Sequence, residues 1–220
     1  MSSRVARLGT LAIGSIALLL LCQVGNVRAA PEDDFRVGSE AYRRGDVMQA
    51  MAMLKKSADA GHAPSQALLA YILDQAEFND EAVAYYRKAA EQGDRDGEFG
   101  LGSMYAAGEG VKRDPAEARN WITRAAEKGH PNAINALAQA YISGDLGIDE
   151  AQRNGAEALR WVRLAADAGF LPALDHLARA YRSGAYGLGV NVEQAAALDA
   201  KARAIRGVAE KGTAKKKERK

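Results

Sequence analysis

The chain reads as all-α, a row of helix pairs, and three observations predict it. Four glycines, Gly61, Gly93, Gly129 and Gly169, stand 32, 36 and 40 residues apart, and each closes a similar stretch of sequence. A period of that size marks units that bury their apolar faces only against one another. Large side chains keep the same register: Met53, Tyr85, Trp121 and Trp161 stand eight residues before the glycines, Leu69, Leu101, Leu137 and Leu177 eight after, and Leu73, Tyr105, Tyr141 and Tyr181 twelve after. Finally, 46 alanines against 14 aromatic residues suit helices that lie close together. No run alternates with period two over the length of a strand, so no sheet is expected.

Each unit divides into an A helix and a B helix, with the glycine as the left-handed stop of the second. The offset of four between each leucine and the large residue after it puts both on one helical face. The expected A helices cover 33–44, 63–76, 95–107, 131–143 and 171–183, and the B helices 47–60, 79–92, 115–128, 154–168 and 192–208. In the first unit Tyr42 is in register but Gly38 replaces leucine; the second has Leu73 where later units have tyrosine. A small pair precedes each glycine by three and four residues (Ser57-Ala58, Ala89-Ala90, Ala125-Ala126, Ala165-Ala166), which lets one helix lie close on another. Trp121 and Trp161 are expected to fill the seam between stacked pairs. The connection Ser143 to Gly155 is long and predicts a protruding loop. Val192 to Gly207 supplies a last B helix with Leu198 in the large-residue position.

The string Tyr85-Tyr86-Arg87-Lys88-Ala89-Ala90-Glu91-Gln92-Gly93, continued by Leu101-Gly102-Ser103-Met104-Tyr105-Ala106-Ala107-Gly108-Glu109-Gly110-Val111, resembles the Sel-1-like repeat. The resemblance covers about residues 33 to 208. It implies membership of the tetratricopeptide superfamily and a right-handed α-solenoid of about five helix-turn-helix repeats, residues 30–208.

Both ends lie outside that body. Residues 1–29 carry Arg4 and Arg7, an apolar run from Leu8 to Cys22, and small residues at Val27 and Ala29, the pattern of a secretory signal cleaved after Ala29. Leu21 before Cys22 fits a lipoprotein signal poorly, and the apolar run is short of the ~20 residues a span needs. The expected location is the periplasm or outside the cell. Losing Arg4, Arg7 and Arg28 would take the net charge from +2 to −1 and remove the single cysteine, leaving no thiol for disulfide or nucleophile chemistry. Residues 209–220 form the expected basic tail. From Lys211 onward it has six cations, one anion and almost nothing apolar, so it should be unfolded, with weak contact to an anionic envelope surface as its possible use. A net charge of +2 also argues against nucleic acid as partner.

Little in the body suggests catalysis or a cofactor. His62 and His130 follow their glycines in the same register and read as helix caps; His176 has no metal-spaced companion. Asp94-Arg95-Asp96-Gly97 reads as a helix start, and Gly184 to Gly189 as a long turn, since no strand precedes it. The serines have no nucleophile-elbow context. Relatives of this repeat type associated with β-lactams carry paired cysteines that are missing here.

In a tetratricopeptide-like stack the A helices line the concave face, and residues three, six, ten and thirteen after each glycine are free of the leucine and tyrosine ridge. Carried over, these are Tyr71 and Asp74, Phe99 and Ser103, Asn135 and Gln139, then Asp175, Arg179 and Arg182, with Arg36, Glu40 and Arg43 from the first helix. Aromatic, amide and guanidinium groups together suit an extended protein segment. The expected function is a non-catalytic scaffold or adaptor of the bacterial periplasm. The rivals are a cell-wall or β-lactam hydrolase and a protein that binds anionic polysaccharide through its basic tail.

Overall fold

A computed structural model describes residues 30–217, and these form an α-solenoid without strands. The A helices are α1 (Pro31–Arg43), α3 (Ala63–Gln75), α5 (Arg95–Ala107), α7 (Pro131–Ser143) and α10 (Leu171–Ser183). The B helices are α2 (Val47–Asp59), α4 (Asn79–Glu91), α6 (Pro115–Glu127), α9 (Ala156–Asp167) and α11 (Val192–Lys217). A short α8 (Glu150–Arg153) and a 3-10 turn (Ala185–Gly187) lie between them. The proposed leader, residues 1–29, is outside the described residues.

The unit period follows from how each B helix ends. Gly61, Gly93, Gly129 and Gly169 adopt φ of 92°, 81°, 75° and 88°, where a side chain would be strained. The next N–H then folds back onto the carbonyl four residues before the glycine: His62 to Ser57 at 3.2 Å, Asp94 to Ala89 at 3.0 Å, His130 to Ala125 at 3.0 Å and Phe170 to Ala165 at 2.9 Å. Those acceptors belong to the small pair, which is therefore both the cap acceptor and the buried contact: Ala89, Ala90, Ala125 and Ala165 are fully buried.

Start signals are equally local. Asp46, Asp94, Asp114 and Asn191 each accept a backbone N–H from the first turn of the helix they open. Pro64, Pro115, Pro131 and Pro172 sit in the first turn of α3, α6, α7 and α10, where no donor is lost.

Consecutive helices pack throughout, and A helices also meet A helices, α1 on α3, α3 on α5 and α7 on α10, whereas B helices have no comparable mutual packing. The stack is thus tightest along the A side, which makes that side the inner one. Helix α5 is pressed hardest. A Cβ at Gly97 would sit 2.5 Å from the Cβ of Ala89, at Gly102 2.7 Å from Ile122, and at Gly100 2.1 Å from the Tyr86 ring. Three glycines let α5 wedge between α4 and α6.

Three expectations need correction. The core residue of each B helix is one position later than the one first aligned: Leu54, Tyr86, Ile122 and Val162 are buried, while Met53, Tyr85 and Trp121 are half-covered. Trp161 alone is fully buried, in a cluster with Tyr141 and Ile148 from the long connection. That connection is no loose protrusion, because Asp149 and Gln152 form a reciprocal capping box that starts α8 and Ile148 is buried. Finally, α11 runs on to Lys217, so the backbone is helical through much of the segment expected to be unfolded; alanine, glutamate and lysine all favour helix, and residues 218–220 lie outside the described residues.

Candidate functional site

The A face carries a hollow of about 390 Å³ that spans four helices. Tyr71 and Asp74 come from α3, and Asp96, Phe99 and Ser103 from α5; Phe35 of α1 and His130, at the start of α7, close it. Its depth follows from sequence: Gly100 has no side chain, so Tyr86 of α4 reaches across α5 and lines the hollow from behind. Burial, aided by Asp74, Tyr71 and Asp96, pushes the Tyr86 hydroxyl far above the usual phenol range, so it stays neutral.

Aromatic contacts fix the walls. Phe99 stacks on His130 at 4.6 Å between centroids, Phe35 meets His62 at 5.1 Å, and Tyr42 supports Tyr71 edge-on at 6.3 Å. Both histidines open an A helix but play different parts. His130 Nδ1 accepts the Ala133 N–H at 3.1 Å, which leaves its proton on Nε2, 3.3 Å from Asp96 Oδ1. His62 makes no cap bond: Ser65 donates to Ser57 at 2.7 Å and Ser57 to the Pro31 carbonyl at 2.6 Å, so the 2.9 Å contact from His62 Nδ1 to Ser65 makes the ring the donor. The expected cap role therefore holds for His130 and not for His62. Burial lowers the pKa of His130, against a smaller opposing pull from Asp96.

Phe99, Ser103 and Gln139 continue into a neighbouring hollow of about 480 Å³ between α5 and α7. Ser103 Oγ donates to the Phe99 carbonyl at 2.9 Å, within its own helix. Further along, Arg179 joins Arg153, His176 and Ser183 around a space of about 440 Å³. Arg153 donates to the Ile142 carbonyl at 2.7 Å, holding the end of α7, and His176 pairs with the Tyr186 hydroxyl at 2.6 Å. Burial first, then Arg179 and Arg153, lowers the His176 pKa.

The remaining expected residues are placed elsewhere. Arg43 pairs with Glu40 and Arg36 with Asp33, on α1 itself. Asn135 is half-buried, and its Oδ1 has no donor among the described residues. Asp175 pairs with Arg206 and Arg182 with Asp199, so α11 engages both. Phe35, Tyr86, Asp96, His130 and Arg153 were missed. The offset of three after the glycine, applied evenly, names Pro64, Asp96 and Asn132, all of which line the first hollow. Tyr86 was signalled only by a glycine inside a helix.

One feature of α5 faces away from the hollow's chemistry. Glu98 is fully buried and its Oε1 takes both Arg124 and Lys128 at 2.8 Å, tying α5 to α6. Among the described residues no group of three or more His, Cys, Asp or Glu is arranged to hold a metal ion, and no helix is long and apolar enough to cross a membrane.

Comparison with known proteins agrees with this architecture. DAP3-binding cell death enhancer 1 of Rattus norvegicus is 36% identical over 91 residues, 40% of this chain and 18% of that protein. Chitin synthase regulatory factor 3 of Schizosaccharomyces pombe is 38% identical over 64 residues, 29% of this chain and 7% of that protein. The chain thus corresponds to less than a fifth of either relative's length. Among solved structures, c5321, described as a protective antigen of uropathogenic Escherichia coli strains displaying an SLR fold, superimposes with a TM-score of 0.69 at 29% identity, over 79% of this chain and 38% of that one. The Sel1 repeat model matches residues 35–62, 79–94, 95–130 and 131–170, more than half of the sequence, and the chain belongs to the Sel1 repeat family.

Proposed function

We propose that this protein is an exported, non-catalytic adaptor that holds a segment of a partner protein along its A face, with the Tyr71, Asp74 and Phe99 hollow as the principal contact. Sel1 repeat proteins commonly mediate protein–protein interaction, and the relatives include proteins named for regulation and for binding. The observation that carries the reading is the hollow itself: aromatic walls from three successive A helices, with Tyr71 still 42% exposed, in the place where a solenoid presents its inner surface. Export rests on the charged, apolar and small-residue succession of residues 1–29.

Site-specific photo-crosslinking in the producing cell tests the surface. A photoreactive side chain at Tyr71 or Phe99 should give a discrete protein adduct, and one at Phe78 or Tyr85, at the B helices, should not. Adducts from Phe78 alone would move the interface to the other face. Intact mass of the recovered protein should correspond to a chain starting at Ala30; a retained Met1 or a lipidated Cys22 would contradict export by this route.

A further inference from the structure

The chemistry of the first hollow says which kind of side chain it accepts. Its lining includes two carboxylates, Asp74 and Asp96, and neither lysine nor arginine. Asp96 has partial company: His130 Nε2 at 3.3 Å, and Arg95 at 3.8 Å on the exposed outer edge. Asp74 has none. Burial and then the nearby Glu109 both push its carboxyl above the ordinary value, and no cation or donor acts in the other direction. A half-buried carboxylate beside a second acid lacks a countercharge among the described residues.

The walls point the same way. Phe35, Tyr71 and Phe99 line the same hollow as Asp74, and Tyr86 backs it. Aromatic faces carry negative quadrupole density and attract a cation that comes within about 6 Å of the ring centroid. A carboxylate ligand would meet Asp74 and Asp96; a purely apolar one would leave Asp74 dehydrated without compensation. A cation satisfies walls and carboxylates together.

We propose that the hollow takes a cationic side chain of the bound segment, an arginine guanidinium or a lysine ammonium, seated against Asp74 between the faces of Tyr71 and Phe99. This rests on the A-face reading above and adds the chemistry of the residue recognised. Arginine fits best, since its planar fork can pair with a carboxylate on one edge and stack on an aromatic face.

The test uses two fluorescent decapeptides, identical except for a central arginine or its neutral isostere citrulline, titrated into the full chain. The arginine peptide should bind about tenfold tighter, the scale of one charge-assisted hydrogen bond. Asp74→Asn should abolish that difference while the protein melts no lower than wild type, because removing a carboxylate whose ionisation is disfavoured by folding does not destabilise the fold at neutral pH. Equal affinity for the two peptides, or a preference that survives Asp74→Asn, overturns the proposal. If both peptides bind equally and Phe99→Ala weakens both, the A-face reading stands and only the cation is lost. Binding of neither overturns both.

Discussion

The middle unit and the last unit use one register to different ends. On α5 the residues six and ten after the glycine, Phe99 and Ser103, open onto the inner hollow; on α10 the residue at six, Asp175, is paired with Arg206 of α11, and so is the one at thirteen, Arg182, with Asp199. The cause is the neighbour. Phe99 has the start of the next A helix, His130, to stack on. Among the described residues no A helix follows α10, and α11 packs against it, so Asp199 and Arg206 of α11 occupy those positions instead. Repeat register tells which way a residue points, but the adjoining unit decides whether it stays available.

The ion pairs should separate the two regions most. Replacing Arg124 and Lys128 together by alanine strands the buried Glu98 and should cost about 3–5 kcal/mol, and adding Glu98→Gln should recover much of it. The matching change at the end, Arg182→Ala with Arg206→Ala, breaks exposed pairs and should cost about 0–1 kcal/mol for each. Chemical denaturation of both double variants measures the contrast; equal losses would mean that Glu98 is not as enclosed as its geometry indicates.

The tryptophans give a second contrast. Trp161 is fully buried, so Trp161→Ala should cost about 3–5 kcal/mol. Trp121, half-covered beneath Arg124 and bonded to Glu117 at 3.1 Å, should cost about 1–2 kcal/mol. Identical melting of the two variants would restore the equivalence read from their shared register.

Glycines should even differ in sign. A Cβ at Gly100 collides with Tyr86, and Gly100→Ala should destabilise by about 1–3 kcal/mol. Gly207, inside α11, has open space around it, and Gly207→Ala should stabilise by roughly 0.5–1 kcal/mol through helix propensity. Thermal melts decide both.

The smallest effect concerns pH. Burial lowers the pKa of His130 in the middle and of His176 at the end. Above pH ~6.5 both are neutral in folded and unfolded chains and contribute nothing; below it the unfolded chain takes up the proton first, so stability falls with falling pH. His130→Asn, which keeps a capping side chain, should flatten the melting temperature between pH 7 and 5. An unchanged slope would show that neither the cap nor the Phe99 stack holds the ring neutral.

Sequence made the fold legible because its signals are local. The left-handed glycines, the small pairs and the aspartate caps act within one helix end, and all ten expected helices are present. Half-legible was the face. Offsets from the glycine found Tyr71, Asp74, Phe99 and Ser103, which share one hollow, and Arg179, which lines another. What they missed depends on distance in the chain. Tyr86 reaches the hollow through the space left by Gly100, fourteen residues later in the next helix, and the connection before α8 joins the Trp161 cluster through Ile148. Asp175 and Arg182 looked available until the reach of α11 was known.

The central claim is that the A face is the binding surface. Its most direct test is affinity capture from the native cell with three chains of equal melting temperature and helical content: wild type, Tyr71→Ala with Phe99→Ala, and Phe78→Ser with Tyr85→Ala. The account predicts that the partner recovered with wild type is lost from the Tyr71 and Phe99 variant and kept by the Phe78 and Tyr85 variant. Retention by the first and loss from the second would contradict it and place the interface on the B helices.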